Sequence, residues 1–369
     1  MLWPHPIKRM VQILVQSLIP LTLFLMMQIH TPQAQVVVPN NATISTVFTF
    51  GDSIVDTGNN NNLITLVKSN FPPYGRDFMG GKPTGRFSNG KIPPDIIVEQ
   101  LGIKELLPAF LDPNLQLQDL IGGVNFASAG AGFDPLTSEL VSAIPMSKQL
   151  QLFDEYKMML KSFIGEERAD SIVANSLYIV SAGSDDVVNT YFHTPTRIFF
   201  DSIPSYTEFL VRSASAFLQE LHAKGARRIG VFSLTPLGCI PSMRTLAGGI
   251  ERRCAENYNQ MVQLLNSKLS SELHHLNEAF PHARMTLIDI YGLVLDMVKN
   301  PKKYGFEISD QGCCGSGLIE SAILCNRWDV LTCSNVSRYV FWDSYHPTEN
   351  VYKIMAQERQ QKLLVDLYS

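Results

Sequence analysis

The chain is short of charge. Asp, Glu, Lys and Arg together make up 17% of 369 residues, 34 acidic against 30 basic, and no basic stripe or basic–aromatic run stands out. This argues against nucleic acid as a partner, since that binding is driven by clustered Lys and Arg. There is no Cys-x-x-Cys pair, which weighs against a structural zinc site. Gly-x-Ser-x-Gly, the nucleophile elbow of one large hydrolase fold, is absent. Gly130-Ala131-Gly132 is too short for a dinucleotide fingerprint. Internal repeats and low-complexity linkers are also missing, and no apolar run beyond the N-terminal region is long enough to span a bilayer.

The one long apolar run is N-terminal. Lys8 and Arg9 precede a mostly apolar stretch from Met10 to Ile29, and Thr31, Gln33, Ala34 and Gln35 follow, the layout of a secretory signal. Gln12, Gln16, Ser17 and Pro20 interrupt the run and weaken the rival reading, an uncleaved anchor. The expectation is a signal peptide over 1–35, cut near Ala34, and one domain over 36–369, extracellular and without a stable membrane span after cleavage. All six cysteines lie beyond the signal: Cys239, Cys254, Cys313, Cys314, Cys325 and Cys333. An even count in a secreted chain points to disulfides. Spacing favours Cys239 with Cys254 and a local cluster of the other four, whose pairing stays open. Asn41-Ala42-Thr43 and Asn335-Val336-Ser337 are glycosylation acceptors.

Short β-branched or apolar runs alternate with longer amphipathic ones. Val47–Phe50, Val124–Ala127, Leu177–Ser181, Ile229–Phe232 and Met285–Ile288 read as strands, and Leu150–Phe163, Tyr206–Lys224 and Ala255–Glu278 as helices. Such alternation implies a parallel sheet covered on both faces, with ligands at the carboxyl ends of the strands. Gly51-Asp52-Ser53, Ser128-Ala129-Gly130 and Ala182-Gly183-Ser184-Asp185 each follow a predicted strand and so share that edge. Residues Gly58 to Pro94, rich in Asn, Gly and Pro, read as a long ordered loop. The last dozen residues, from about Gln357, are rich in Gln and read as a poorly packed end.

Two short motifs near opposite ends of the chain carry the chemistry. Phe50-Gly51-Asp52-Ser53 follows the first strand, and Asp343-Ser344-Tyr345-His346 sets an Asp and a His three residues apart. A serine hydroxyl needs a base to take its proton, and a histidine base works best when a carboxylate fixes its tautomer. Ser53, His346 and Asp343 fill those roles once folding brings them together. Asp52 reads as the cap of a helix after Ser53. Asp56, Asn59 and Arg86 read as braces of the surrounding loop, and His274 and His275 as a solvated helix face.

With these motifs in hand, the chain resembles a plant GDSL-type esterase/lipase of the SGNH hydrolase superfamily, in its extracellular-lipase-like branch. The resemblance runs from about Thr46 to about Lys353. It is carried by four blocks in order: Phe50–Asn59, Gly123–Gly132, Ala182–Asp186 and Phe341–Glu349. It implies a flavodoxin-like three-layer α/β/α fold with a central parallel sheet of about five strands, and hydrolysis of acyl esters without metal or organic cofactor. Residue by residue, it makes Ser53 the nucleophile, His346 the base and Asp343 its orienter. The N–H groups of Gly130 and Ser53 become oxyanion donors, with Gly132 the lesser candidate for the glycine.

The chain departs from the family at one oxyanion position, where the usual Asn is Asp185. An ionised carboxylate cannot donate a hydrogen bond. Either Asp185 is held protonated, or Asn189 donates instead, or the enzyme is slow. The function that follows is a secreted serine esterase or lipase acting on a small-molecule or polymeric ester, such as a lipid or cell-wall ester. The alternatives are acyl transfer through the same residues, or a catalytically weak binding or structural glycoprotein.

Overall fold

The structure, a computed structural model, describes residues 43–326 and 331–369; the expected signal segment and the Asn41 acceptor lie outside them. Four strands, β1 (Val47–Gly51), β2 (Leu177–Ser181), β3 (Arg228–Phe232) and β4 (Arg284–Ile288), pair in parallel in that order. β1 and β2 are buried along their whole length, as expected for strands with both faces covered.

The two faces are distinguished by alternate side chains. Phe48 and Phe50 pack edge-on against Phe153 of α3 (Met146–Ile164), and Phe50 also meets Phe217 of α5 (Ile203–Ala223). On the opposite face, in register with each other, Ile179, Gly230 and Thr286 face the C-terminal helix α9 (Glu349–Tyr368). Thr286 Oγ1 donates to Asp366, and a Cβ at Gly230 would lie 2.9 Å from a methyl of Leu363. Helices α1 (Pro93–Gln100) and α7 (Glu256–Ala279) complete the two outer layers, while α2 (Pro135–Val141), α4 (Glu166–Asn175), α6 (Pro241–Ala247) and α8 (Tyr291–Lys299) join the strands to them. No described helix is long and apolar enough to cross a membrane.

Two sequence expectations change. Val124–Ala127 is not a strand: it runs beside β1 through Phe126 N–H to Thr49 O (2.8 Å) and Ser128 N–H to Gly51 O (2.9 Å), with Asn125 making only isolated bridges. The carbonyls of Asn125 and Ala127 point away from β1, where the side-chain amide of Asn59 donates to both (3.0 and 2.7 Å) and Phe110 N–H to the first (2.9 Å), so loop groups cover that outer edge. The regular sheet has four strands rather than five, although the segment still lies at the edge beside β1, where strand 2 of the flavodoxin-like order 2-1-3-4-5 would be. The glutamine-rich end is not loose either. It continues α9 to Tyr368 and buries Gln360, Leu363, Leu364 and Leu367.

A smaller parallel pair, β5 (Ile308–Gly312) and β6 (Tyr339–Phe341), carries the second motif. Cys313 N–H bonds Phe341 O (3.1 Å) and Cys314 N–H bonds Trp342 O (2.8 Å). Disulfides Cys313–Cys333 and Cys314–Cys325 therefore lie directly beside the turn that begins at Trp342, and Cys239–Cys254 closes a separate loop. The cysteines of the first two disulfides pack with Tyr74, Phe87 and Trp342 in one buried cluster. Asn335 is exposed on this loop.

Candidate active site

Ser53 stands just beyond β1, at the point where strand order reverses between β1 and β2. Gly51 adopts φ +136°, and a Cβ there would lie 1.7 Å from Ser181 O, so only glycine lets the chain turn this close to β2. Asp52 N–H bonds Ser181 O at 2.8 Å, and the Asp52 carboxylate accepts from Ile54 N–H at 3.1 Å. The turn projects Ser53 into an open cleft of about 590 Å³ lined also by Phe87, Leu140, Asp185 and His346.

In the cleft, His346 Nε2 lies 2.8 Å from Ser53 Oγ, and His346 Nδ1 lies 2.8 Å from Asp343 Oδ2. Asp343 is wholly buried and heavily solvated by protein donors. Its Oδ1 accepts the N–H groups of Tyr345 (2.7 Å) and His346 (2.6 Å), and its Oδ2 accepts the Tyr74 hydroxyl at 2.6 Å. Burial, then the Asp343 charge, pushes the Tyr74 hydroxyl well above its ordinary pKa, so it stays a donor. The Phe87 ring covers the imidazole, 4.9 Å between centroids. Neither Tyr74 nor Phe87 could be found from the sequence: each lies in the long loop before Pro94, with no spacing signal toward the other motif.

The N–H groups of Ser53 and Gly130 have no protein acceptor among the described residues. Gly130 borders the cleft at φ +87°, a left-handed conformation suited to glycine. Its loop is braced on both sides: Asp56 Oδ2 accepts Ala129 N–H (3.0 Å), and the Asn60 amide donates to Ala129 O (2.9 Å). Burial raises the Asp56 carboxyl to about 6 against three backbone donors. Gly132 is placed otherwise. A Cβ there would lie 2.1 Å from the Asp186 carboxylate, so this glycine makes room for Asp186. Arg86 forms a buried pair with Asp95, 2.7 Å at each nitrogen, and donates to Thr57 O and Leu107 O, tying the loop down.

Asp185 borders the cleft and is buried; burial raises its carboxyl to about 6, with the His346 charge and the Asn189 bond pulling the other way. Asn189 Nδ2 donates to Asp185 Oδ1 at 2.5 Å and its Oδ1 accepts the Tyr345 hydroxyl at 3.4 Å. The Asn189 amide is thus engaged by Asp185. Behind them, Asp186 accepts from Phe133 N–H, Asp134 N–H and Thr137 Oγ1, with burial raising it to about 7. Burial, followed by the Asp185 charge, also raises Asp52 well above the usual carboxylate range. His274 and His275 are exposed, each beside a glutamate. Among the described residues no group of three or more His, Cys, Asp or Glu side chains is placed to hold a metal.

A serine–imidazole–carboxylate chain beside two uncommitted N–H groups suits acyl transfer to and from serine. The family model for GDSL-like lipase/acylhydrolase matches residues 47–358. The chain belongs to the GDSL lipase/acylhydrolase family. It shares that family's SGNH fold and is a carboxylic ester hydrolase. It is 52% identical over 320 residues to the GDSL esterase/lipase At5g42170 of Arabidopsis thaliana, covering 87% of this chain and 86% of that one. Against the GDSL esterase/lipase EXL3 of the same plant, identity is 50% over 317 residues, covering 86% and 87%. Against the GDSL esterase/lipase At3g14820 it is 51% over 316 residues, covering 86% and 89%.

Proposed function

We propose that this GDSL hydrolase is a secreted serine esterase that works through an acyl-enzyme on Ser53. His346 Nε2 removes the Ser53 proton as Oγ attacks the ester carbonyl. Asp343 holds the imidazole in the tautomer that keeps Nε2 free to accept, and balances the imidazolium that forms. The tetrahedral oxyanion takes hydrogen bonds from the N–H groups of Ser53 and Gly130. His346 then returns the proton to the departing alcohol. In the second half, His346 takes a proton from water, the hydroxide attacks the acyl carbon, and Ser53 leaves as the alcohol with that proton.

The observation that carries this reading is the unbroken chain Ser53 Oγ, His346, Asp343, with contacts of 2.8 Å and 2.8 Å. It weighs against a catalytically idle binding glycoprotein, which would have no use for that alignment. Three disulfides and the exposed Asn335 acceptor support export of a single 36–369 domain after loss of the leader. The test is hydrolysis of a short-chain p-nitrophenyl ester by the purified protein and its Ser53→Ala variant from pH 5 to 9. Turnover that disappears in the variant is expected; equal turnover in both would remove Ser53 from the mechanism.

A further inference from the structure

At the opposite edge of the sheet from the cleft, the amino ends of β3 and β4 carry charges that the ester chemistry does not use. Arg228 opens β3 and Arg284 opens β4, and the two are direct partners in the parallel register. Neighbouring strands lie about 4.8 Å apart, so two like charges stand side by side, which destabilises a sheet unless something neutralises them. Arg227 precedes Arg228, and its carbonyl accepts Arg284 N–H at 2.7 Å. The three arginines and His282 line one groove of about 480 Å³, bordered also by Tyr368 and Ser369.

Elsewhere Arg86, Arg197 and Arg338 each meet a carboxylate, at 2.7, 2.8 and 2.7 Å. Among the described residues no Asp or Glu pairs with Arg227, Arg228 or Arg284, and the Ser369 carboxylate beside the groove is one negative charge against three positive ones. Backbone carbonyls hold the arginines in place instead. Arg227 Nη1 donates to His222 O (3.0 Å) and Ala226 O (2.8 Å), and Arg284 Nη1 to Pro281 O (3.3 Å) and Ala283 O (3.2 Å). Arg228 Nη1 donates to Ala174 O (3.4 Å), and its guanidinium lies 4.7 Å over the Tyr368 ring. Each fork is thus fixed through one nitrogen, while Nε and Nη2 have no acceptor among the described residues. Those are the donors that grip an oxyanion two at a time. The whole chain is acidic, 34 acidic residues against 30 basic, so this cluster is a local feature and not general basicity.

We propose that this groove is a second binding site, for a small oxyanion of charge two or more, carried by phosphate or clustered carboxylate groups. Arg228 and Arg284 hold it from neighbouring strands, and Arg227 supplies a third cation. The bound anion neutralises the paired like charges and so ties the start of β3 to the start of β4. Both strands are five residues long, which sets the groove on the order of 15 Å from the catalytic edge of the sheet. An anion and an ester therefore bind at the same time.

Pyrophosphate and citrate are the probes, each titrated at pH 7 against sodium chloride of matched ionic strength, with binding read by calorimetry and by the thermal midpoint. Saturable binding of at least one is expected, with a rise in midpoint that chloride does not reproduce. A response to pyrophosphate alone supports the site for phosphate groups, and a response to citrate alone supports it for carboxylates. Arg284→Gln, at an exposed side chain, should weaken binding on the order of tenfold. Its midpoint without anion should be no lower than that of the unsubstituted protein, because a like-charge pair has gone. Arg228→Gln/Arg284→Gln should abolish binding. Equal binding by the unsubstituted protein and the Arg284→Gln variant would overturn the proposal, as would a midpoint shift that chloride reproduces. So would competitive inhibition of p-nitrophenyl butyrate hydrolysis that survives both substitutions, since it places the anion in the cleft.

Discussion

Asn189 hands its side-chain amide to Asp185, 2.5 Å from Oδ1, within the cleft that holds Ser53. By resemblance to the family's motif, Asp185 takes the position of an amide donor, and it engages the nearby amide that could have replaced it. Asp185, raised to about 6 by burial, is a donor only in its acid form. That form is lost as pH rises through about 6, the direction in which a histidine base gains activity. Asp185→Asn should therefore raise kcat on a soluble ester by on the order of tenfold or more, since one oxyanion donor is worth about 10²–10³ in rate. The gain should be smallest near pH 5 and largest near pH 8. Steady-state kinetics across that range check it; no gain at any pH would mean Asp185 does not stand in the oxyanion hole.

The buried carboxyls also set how stability varies with pH. Burial holds Asp56 and Asp185 at about 6 and Asp186 at about 7, against an ordinary value of 3.8. Between those limits the folded chain binds more protons than the unfolded one, so stability falls as pH rises. Asp154 and Asp296 are shifted downward by cationic partners and act with opposite sign, but below pH 4. The expected thermal midpoint is highest near pH 4 to 5 and declines toward pH 7. Asp186→Asn should flatten the upper part of that decline, and a midpoint that climbs from pH 5 to 7 would contradict the sign.

Tyr74 supplies the side-chain hydrogen bond that Asp343 Oδ2 accepts in addition to the imidazole. Tyr74→Phe leaves that oxygen one donor short, although the two N–H groups on Oδ1 still hold the carboxylate in place. A hydrogen bond to a charged group is worth about 1.5–3 kcal/mol, so kcat should fall by about tenfold or more with little change in KM. A rise in KM alone would assign Tyr74 to substrate packing.

The disulfides Cys313–Cys333 and Cys314–Cys325 flank the backbone bonds from Cys313 and Cys314 to Phe341 and Trp342. Replacing Cys314 and Cys325 together by serine should cost roughly 2–4 kcal/mol in unfolding free energy. Activity should fall more than folded fraction alone explains, because the Asp343–His346 turn hangs from that loop. Mild reduction with activity followed over time would show the same order of events.

The chemistry-bearing residues were legible because each sits in a short motif placed by a strand end, and parallel strands share one edge. Four strands showed as apolar runs for the same reason: both faces are covered. What was hidden depends on contacts across the chain. Tyr74 and Asp343 meet over 269 residues, and nothing in the local sequence of either marks the pairing. Val124–Ala127 has the composition of a strand, but beside β1 it makes only isolated bridges, and Asn59 from another loop takes its outward carbonyls. The C-terminal segment failed differently. Its glutamines dominate the composition, yet Gln360, Leu363, Leu364 and Leu367 follow helical spacing, and that periodicity, not the composition, decides the packing.

That end of the chain yields the sharpest packing test. Leu363 is buried against β3 where Gly230 has no side chain, and a Cβ at Gly230 would lie 2.9 Å from both Leu363 and Ile288. Leu363→Ala should cost about 2–5 kcal/mol through lost burial and the cavity left behind. Gly230→Ala should cost about 1–3 kcal/mol by overpacking. Because the two changes act on one space with opposite sign, the added methyl should partly fill what the leucine vacates. The double variant should then be more stable than the sum of the single losses predicts, with a coupling of about 0.5 kcal/mol or more. Denaturant midpoints of the four proteins close the cycle. Strict additivity would mean that α9 shifts away from the sheet in the single variants, and that β3 does not need its glycine to seat Leu363.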